Sequence, residues 1–186
     1  FHRPPNAGAQ GASEYLDIVA AGEYLQSLPQ VDSDRIGVWG GSYGGYASGW
    51  GATYYSVRFA ASVMFVGIAD QASLVTSGDI PWEQYLVHMG TWPWEDPEMF
   101  RQASPVTHAQ KSHTPTLILH GEDDPRVPVG QSYMMYRYLK LAGQAPVRLV
   151  LYPGEGHGNA RAASRWDYSL RLMRWMEHYL NGPGGD

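Results

Sequence analysis

The sequence contains no cysteine, and this absence removes several kinds of chemistry at once. Without thiols the chain cannot form a disulfide framework, a thiolate zinc site or a cysteine nucleophile. No apolar run approaches the roughly 20 residues that a membrane-spanning helix requires. Charged residues make up only 17% of the chain, and acidic residues outnumber basic ones by 18 to 13. The net charge of −5 argues against a nucleic-acid partner, which would need a basic surface.

The length and the hydrophobic content of the chain are sufficient for a buried core. The protein has 186 residues, with 44% hydrophobic and 13% aromatic side chains. A chain of roughly 150 residues already hides about two-thirds of its unfolded surface, so no disulfide or metal is needed to stabilise it. Because charge is sparse and aromatic side chains are frequent, the composition excludes a disordered protein. We therefore expect a single domain over residues 1–186.

Predicted strands and helices alternate along the chain. Strands are expected at residues 35–39, 59–66, 116–120 and 147–152, and helices at 13–28, 129–142 and 164–180. The second strand is almost wholly apolar, as expected when both faces of a sheet are covered. Alternating strands and helices form a parallel sheet between helical layers, so we predict an α/β fold of the three-layer αβα type. Residues 67–114 interrupt this pattern as an irregular, aromatic-rich excursion with some helix.

The last predicted helix carries an apolar stripe. Its members recur at helical spacing and are expected to line one face: Trp166, Leu170, Met173, Met176 and Leu180. The arginines of this helix are expected mostly to point away from that face, and His178 is expected at the surface.

A G-x-S-x-G pentapeptide lies between a predicted strand and a predicted helix. It consists of Gly40, Gly41, Ser42, Tyr43 and Gly44, and small residues suited to a tightly buried helix follow it. A sharp turn from strand to helix exposes the serine hydroxyl at the end of the sheet. Glycine is expected at 40 and 44 because neighbouring backbone comes too close there for a side chain. The helix N-terminus and the backbone N–H of Tyr43 would stabilise negative charge developing on a substrate oxygen.

The partners of such a serine follow it in the order acid, then histidine. Three acids, Glu122, Asp123 and Asp124, come after the third predicted strand, and spacing alone does not choose among them. His157 follows the fourth strand between glycines, and it alone of the seven histidines satisfies both order and placement. Ligands of a parallel sheet bind beyond the carboxyl ends of its strands, so these groups are expected to meet there. The pattern predicts a nucleophilic serine, a histidine base and an acid that orients the histidine.

Motifs of other chemistries are absent. The sequence has no H-E-x-x-H zinc motif, no Walker phosphate loop and no G-x-G-x-x-G that opens a helix after a strand. The acids at 122–124 lack the spacing of a calcium-binding loop. We therefore expect neither a metal nor a cofactor.

The chain resembles the prolyl oligopeptidase family of serine peptidases, and its acylaminoacyl-peptidase-like branch in particular. The core of the resemblance is G-G-S-Y-G-G-Y at residues 40–46, which is much more specific than G-x-S-x-G. Further matching stretches lie at residues 35–39, 79–82, 93–98, 104–105, 114–121, 126–128 and 152–158. The resemblance runs from about residue 8 to residue 182. It implies an α/β-hydrolase fold and the C-terminal part of a catalytic domain.

The resemblance also implies roles for individual residues. Ser42 matches the family nucleophile, and His157 matches the family base. The family acid lies three residues before the valine of an R-V-P sequence, a position that Asp124 occupies here. Arg126 matches a position that contacts the substrate carbonyl in some members; the alternative is an ion pair with the neighbouring acids. Residues 67–114 correspond to a helical excursion over the active site.

Four aromatic side chains of the excursion are candidates for lining the acyl or side-chain pocket: Trp82, Tyr85, Trp92 and Trp94. The alternative is that these rings serve packing alone. The sequence does not decide between the two interpretations.

The sequence departs from the family pattern ahead of the nucleophile. Family members usually carry an N-terminal β-propeller that screens out large substrates, and several sheet strands upstream of the nucleophile strand. We expect both to be missing here, together with the upstream loop that supplies a second oxyanion donor. One sheet edge is then expected to be uncovered, and an open edge invites pairing with another chain. A missing N-terminal segment or a homo-oligomer is expected to complete the sheet.

Three functions remain open at the level of sequence. The first is a serine peptidase that releases short or acylated units from small peptides. The second is a carboxylesterase, because ester and amide hydrolysis share an acyl-enzyme. The third is a weakly active fragment or a binding module. We expect a small peptide or ester substrate, no nucleic-acid or membrane partner, and a soluble protein of the cytoplasm or periplasm, with the compartment itself unassigned.

Overall fold

The sheet consists of four parallel strands in the order in which they occur along the chain. The structure is a computed structural model that describes residues 12–181; residues 1–11 and 182–186 of the expected single domain lie outside the described residues. The strands are β1 (Gly37–Gly41), β2 (Ala61–Phe65), β3 (Thr116–Gly121) and β4 (Val147–Tyr152). Because all four run in the same direction, the segments that follow them emerge at one edge of the sheet.

The described helices lie between and after these strands. They are α1 (Ala12–Gln26), α2 (Tyr43–Ala52), α3 (Gln71–Ser77), α4 (Pro81–Glu83), α5 (Pro97–Gln102), α6 (Gly130–Ala142) and α7 (Ala162–Leu180). A π-helical segment, Gln84–Met89, follows α4, and 3₁₀ segments occupy Ser56–Arg58 and Pro105–Lys111. Within residues 12–181, none of the helices has the length and apolar character needed to cross a membrane.

Helices cover both faces of the sheet, which gives the expected three-layer arrangement. On one face α2 and α6 pack on the strands, and α1 packs on α2; Met64 and Ile118 meet Met135 of α6 there. On the other face, Val63 and Leu117 pack with α7. Strands β2 and β3 are therefore buried on both sides, which explains their nearly continuous apolar sequences.

The excursion at residues 67–114 consists of short helices with a small core of their own. Val75, Met89 and Phe100 form that core and are almost fully buried. The carboxylate of Asp70 accepts the N–H of Ser73 at the start of α3, 2.7 Å away. Such caps allow short helices to form without long amphipathic faces.

The packed face of α7 differs from the expected apolar stripe. Trp166 and Met173, expected on that face, are 68% and 54% exposed. The side chains that pack on the sheet are Tyr168, Leu172, Trp175 and Met176. The prediction was therefore confirmed for Met176 and wrong for Trp166 and Met173, because the face of α7 that contacts β2 and β3 carries Tyr168, Leu172 and Trp175. The ring of Tyr168 lies 4.6 Å from that of Phe65 on β2.

Candidate active site

The turn between β1 and α2 holds Ser42 in a strained backbone conformation. Ser42 has a φ of 59° and a ψ of −118°, and residues with side chains rarely adopt a positive φ. Its N–H donates to the carbonyl of Phe65, 3.0 Å away, and its carbonyl accepts the N–H of Tyr46 at 2.9 Å. These bonds connect the turn to β2 on one side and to α2 on the other. The hydroxyl of Ser42 is thereby presented at the carboxyl edge of the sheet.

The turn needs glycine at positions 40 and 45, whereas the expected pair was 40 and 44. A Cβ at Gly40 would lie 2.5 Å from the carbonyl oxygen of Gly44. A Cβ at Gly45 would lie 2.6 Å from the carbonyl oxygen of Phe65, but one at Gly44 would meet nothing within 4 Å beyond its own helix. The expectation for 44 was wrong because it is the backbone of Gly44 that crowds Gly40. The second position without room for a side chain lies one residue later.

The loop after β4 carries His157 and is fixed to the start of α7. Gly158 has a φ of 146°, a value that favours glycine. Glu155 is 1% exposed. Its carboxylate accepts the backbone N–H of Ala160 at 2.7 Å and that of Arg161 at 3.2 Å. His157 is therefore part of a short loop whose two ends are both anchored. Glu155 was not among the residues chosen from the sequence, where it looks like an ordinary loop acid.

Asp124 lies in the turn after β3 with its side chain buried. Its Oδ1 accepts the backbone N–H groups of Arg126 and Val127, at 2.9 and 3.0 Å. Its Oδ2 lies 2.8 Å from Nδ1 of His157 and 3.3 Å from Nε2 of His120. Burial by itself would raise the pKa of Asp124, but the hydrogen bonds that the carboxylate accepts outweigh it and hold the pKa well below its usual range.

Ser42, His157 and Asp124 form one hydrogen-bonded line. Nε2 of His157 lies 2.8 Å from Oγ of Ser42, and its Nδ1 lies 2.8 Å from Oδ2 of Asp124. The three residues follow β1, β4 and β3, so the parallel sheet brings them together from distant parts of the sequence. The other two candidate acids, Glu122 and Asp123, are exposed, and in the described residues neither is hydrogen-bonded to the imidazole.

Arg126 pairs with the excursion rather than with its neighbours in sequence. Its Nε donates to Oδ1 of Asp79, 2.7 Å away. The two side chains are 46% and 44% exposed. The alternative interpretation correctly expected an ion pair of Arg126 but named the wrong acids, those at 122–124. The partner is Asp79, which lies just ahead of α4 and reaches the same turn. The N–H of Asp79 also donates to the carbonyl of Pro125 at 3.1 Å.

The four candidate aromatic residues of the excursion form one cluster of rings. Trp92 lies at its centre, with ring centroids 4.6 Å from Tyr85, 5.2 Å from Trp82 and 5.2 Å from Trp94. Trp82 and Trp94 are 65% and 67% exposed. The rings thus pack on one another and still leave aromatic surface open to solvent.

A contact that the sequence did not suggest joins the excursion to the nucleophile turn. Tyr43, the first residue of α2, stacks on His88 with ring centroids 4.7 Å apart. The backbone N–H of Tyr43 belongs to the first turn of α2, where the helix dipole is positive. His88 does not follow a strand, so neither its position nor the chain order predicted that it would lie near the nucleophile. Among residues 12–181, no group of three or more His, Asp or Glu side chains is arranged to hold a metal ion.

A serine, a histidine and a carboxylate joined at the carboxyl edge of a parallel sheet are the arrangement of a serine hydrolase with the α/β-hydrolase fold. The model of the prolyl oligopeptidase family matches residues 5–183, and the chain belongs to this family. The fold and the arrangement of these three side chains agree with membership of a peptidase family.

Individual relatives agree with this membership. The chain is 34% identical over 177 residues to the uncharacterized peptidase YuxL of Bacillus subtilis, which covers 93% of this chain and 27% of that protein. It is 30% identical over 179 residues to the acylamino-acid-releasing enzyme of Arabidopsis thaliana, covering 92% of this chain and 23% of that enzyme. A solved acylaminoacyl peptidase in complex with Z-Gly-Gly-Phe-chloromethyl ketone is 29% identical, with a TM-score of 0.84, and covers 95% of this chain and 31% of that one. The chain spans less than a third of each of these proteins.

Proposed function

We propose that the protein is a serine-type peptidase that cleaves small peptides through an acyl-enzyme. The observation that carries this proposal is the hydrogen-bonded line from Ser42 through His157 to Asp124, with 2.8 Å at each step. Membership of the prolyl oligopeptidase family supports amide bonds as the target. The triad roles are those of the general serine-peptidase mechanism.

In the first half of the reaction, Oγ of Ser42 attacks the carbonyl carbon of the scissile bond while its proton passes to Nε2 of His157. When the C–N bond breaks, His157 returns this proton to the leaving amine, and an ester between the substrate acyl group and Ser42 remains. A water molecule then attacks that ester and gives a proton to His157. As the bond between the acyl carbon and Oγ breaks, His157 gives this proton to Oγ, so the acid is released and the Ser42 hydroxyl is restored. Asp124, which stays ionised because its pKa is low, orients the imidazole and stabilises its charged form.

The backbone N–H of Tyr43 is the proposed oxyanion donor of this chain. It lies one residue after the nucleophile and in the first turn of α2, so both its hydrogen and the helix dipole favour negative charge near Ser42. The family resemblance places a second donor on an upstream loop. Loss of one such donor typically lowers the rate by a factor of about 10²–10³.

The proposed substrate-binding residues are Arg126 and the four aromatic residues of the excursion. The contact between His88 and Tyr43 places the π-helical segment that contains Tyr85 beside the nucleophile turn. Aromatic surface suits an apolar side chain or acyl group, and a guanidinium suits a substrate carbonyl. A peptide substrate also agrees with two relatives: one is an acylamino-acid-releasing enzyme, and the other was solved with the peptide-like Z-Gly-Gly-Phe-chloromethyl ketone.

Hydrolysis of small esters is the second candidate function. The side chain of His157 is 26% exposed, and Trp82 is 65% exposed, so the described site is open on one side. An open site favours small activated esters, and the same acyl-enzyme serves esters and amides.

Labelling by a fluorophosphonate tests whether Ser42 is the nucleophile. We expect the wild-type protein to be labelled and Ser42→Ala to be unlabelled, while the exposed-serine control Ser77→Ala is labelled like wild type. A Ser42→Ala variant that still labels, or a wild-type protein that does not, counts against the proposal and favours a binding module.

Turnover of two chromogenic substrates separates the peptidase from the esterase. We expect the wild-type protein to hydrolyse both a p-nitrophenyl ester and an acylaminoacyl p-nitroanilide, with Ser42→Ala inactive on both. Turnover of the ester alone would assign the carboxylesterase function instead.

A further inference from the structure

A second imidazole, that of His120, lies beside the carboxylate of Asp124 and takes no part in the proposed reaction. His120 belongs to β3 and is fully buried. Its Nε2 lies 2.7 Å from the carbonyl oxygen of Val127 and 3.3 Å from Oδ2 of Asp124. Its Nδ1 lies 2.6 Å from Oγ of Ser132 on α6. Both nitrogens of this buried ring therefore have hydrogen-bond partners, as buried polar groups normally do.

The neighbours of His120 determine which of its nitrogens carries the hydrogen. A carbonyl oxygen can only accept, so the 2.7 Å contact with Val127 requires the hydrogen on Nε2. Nδ1 then accepts the hydroxyl hydrogen of Ser132. In this neutral form the ring donates its N–H to the Val127 carbonyl, and Oδ2 of Asp124 lies 3.3 Å from the same nitrogen.

These contacts brace the turn that carries the carboxylate. Val127 donates its N–H to Oδ1 of Asp124 at 3.0 Å, and its carbonyl accepts the Nε2–H of His120. His120 therefore holds the turn from the side of the sheet, while Ser132 holds the imidazole from α6. Two imidazoles share Oδ2 of Asp124, with His157 at 2.8 Å and His120 at 3.3 Å.

We propose that His120 is a positioning residue that acts through Asp124: its Nε2–H holds the Val127 carbonyl and so braces the turn that carries the carboxylate, and it lies beside Oδ2, where it lowers the negative charge of the oxygen that faces His157. This inference rests on the proposed function, because it takes His157 as the base of the reaction. His120 lies at the end of a predicted strand, but the chain order of the motifs did not select it, because it precedes the acid in sequence.

Few charged or titratable side chains surround His120 and Asp124 in the described part of the chain. The position opposite His120 on β4 is Leu151, and α6 contributes the uncharged Ser132. The ionisable side chains of the surrounding turn and site are Asp124, His157, Arg126 with its partner Asp79, and the exposed Glu122 and Asp123.

Removal of the His120 N–H has an effect of definite sign. With one donor fewer, Oδ2 of Asp124 keeps more negative charge and stabilises the imidazolium form of His157 more strongly. We therefore expect the acid limb of the pH–rate profile to move to higher pH. Because the carboxylate is also held less firmly, we expect kcat to fall about 10-fold. KM depends on contacts with the substrate and is expected to stay near its wild-type value.

The exchanges His120→Gln and His120→Asn form a matched pair of amides for the test. The amide nitrogen of glutamine reaches the position of Nε2 and can donate to Asp124, whereas that of asparagine reaches only the position of Nδ1. We expect the glutamine variant to keep the wild-type acid limb and most of kcat. The asparagine variant should show both the shift and the loss. A folded asparagine variant with the acid limb and kcat of the wild type overturns the proposal.

Nitrogen NMR of the imidazoles tests the proposal independently of turnover and of the variants' stability. In the wild-type protein we expect His120 to carry hydrogen on Nε2 and none on Nδ1. Hydrogen on Nδ1 overturns the proposal. A protein that shows no turnover and no labelling of Ser42 would refute the proposed function. If the same protein gave the expected NMR result, the contacts proposed for His120 would still be supported.

Discussion

At the scale of the residue, two strained backbone positions lie side by side at the candidate site. Ser42 and Val66 have φ values of 59° and 41°, a region that disfavours residues with side chains and β-branched ones most of all. Such conformations cost about 1–3 kcal/mol each and persist where the surroundings enforce them. Here the N–H of Val66 donates to the carbonyl of Leu119, 2.9 Å away, and the carbonyl of Phe65 accepts the N–H of Ser42. Strands β2 and β3 therefore hold the nucleophile turn in its strained form.

Gly44 and Gly45 offer a matched pair for testing how tightly this turn is packed. Gly45→Ala places a methyl group 2.6 Å from the carbonyl oxygen of Phe65, so we expect a loss of about 1–3 kcal/mol in the free energy of unfolding. Gly44→Ala places the methyl group in open space on a helix, where alanine is favoured over glycine by about 1 kcal/mol. Urea unfolding of both variants measures the difference. Equal losses in the two variants would contradict the packing described for the turn.

The charge of Asp124 is expected to matter for turnover more than its shape. Asp124→Asn keeps the size of the side chain but cannot stabilise the imidazolium, so kcat should fall about 10⁴-fold. Asp123→Asn, an exposed neighbour, is the control and should turn over the ester like the wild type. Near-normal turnover by Asp124→Asn would exclude this residue as the acid of the triad.

The low pKa of Asp124 also links stability to pH. An unfolded aspartate has a pKa of about 3.9, and in the folded protein the pKa of Asp124 is lower. The ionised carboxylate therefore stabilises the fold above about pH 4, and this contribution is lost as the pH falls through the folded value. Asp124→Asn lacks the contribution at every pH. In urea unfolding, we expect the wild type to lose more stability than this variant between pH 7 and pH 3; parallel losses would contradict the linkage.

At the scale of the element, the His157 loop and the start of α7 form one unit. Glu155 is buried between them, and hydrogen bonds from the side chain of Ser164 and the N–H of Ala160 hold the pKa of Glu155 below its usual range. The N-terminus of α7 favours negative charge at this position. Because His157 lies within the segment that Glu155 joins to the helix, the carboxylate fixes the loop that directs the imidazole.

Glu155→Ala is expected to disturb both the N-terminus of α7 and the orientation of the His157 imidazole. We expect a melting temperature several degrees below that of the wild type and a kcat that falls more than KM rises, because the backbone N–H groups of Ala160 and Arg161 lose their acceptor. Glu122→Gln, an exposed acid of the neighbouring turn, is the matched control and should change neither quantity. Identical behaviour of the two variants would remove Glu155 from this role.

The ion pair between Arg126 and Asp79 joins the turn after β3 to the excursion. Both side chains are nearly half exposed, so the pair should contribute little to stability. If Arg126 contacts the substrate carbonyl, Arg126→Gln should raise KM about 10-fold. Asp79→Asn only frees the guanidinium and should leave KM unchanged. A rise in KM in both variants, or in neither, would assign Arg126 to the docking of the excursion rather than to the substrate.

At the scale of the whole molecule, the sheet ends at β1 with apolar surface exposed. Trp39 on β1 is 60% exposed, and within residues 12–181 no strand pairs with the outer edge of β1. On α7, Trp166 and Met173 are exposed as well. An unpaired strand edge with apolar neighbours is a template for another strand. We propose that a further strand pairs with β1, and that a second copy can supply it when the 186-residue chain is studied by itself.

Self-association of the chain tests this proposal. Trp39→Lys places a charge beside the open edge, so we expect it to shift native mass spectra from two copies to one. Leu141→Lys is the control, because Leu141 is 85% exposed on α6, away from β1, and should leave the association unchanged. A wild-type protein that is monomeric and fully active would show that β1 needs no partner.

Much of the fold could be predicted because its signals are local. The three long helices α1, α6 and α7 begin and end within two residues of the expected positions, since periodicity and turn residues act over a few neighbours. The meeting of Ser42 with His157 followed from strand order, because parallel strands deliver their carboxyl ends to one edge. Spacing did not select Asp124 over Glu122. Asp124 is the acid whose side chain is buried and accepts the N–H of Val127.

Other features depend on contacts between distant segments and could not be predicted in the same way. The apolar residues of α7 are spread over more than one face, and the contacts of Tyr168, Leu172 and Trp175 with the sheet show which face packs. The second glycine of the turn lies at 45 because the carbonyl of Phe65 approaches it from another strand. The partner of Arg126 is Asp79, a residue that is remote in sequence and adjacent in space.

The sequence by itself determined the alternation of strands and helices, the strand-to-helix turn at Ser42 and the order of acid and histidine, because each depends on nearby residues or on the direction of parallel strands. Spacing left three acids open, and the family resemblance selected Asp124 among them. Only the tertiary structure decided which face of α7 packs on the sheet, and that His120 and Glu155 support the site. Those features depend on burial and on hydrogen bonds between segments far apart in the chain. Local sequence does not indicate which distant segments come into contact.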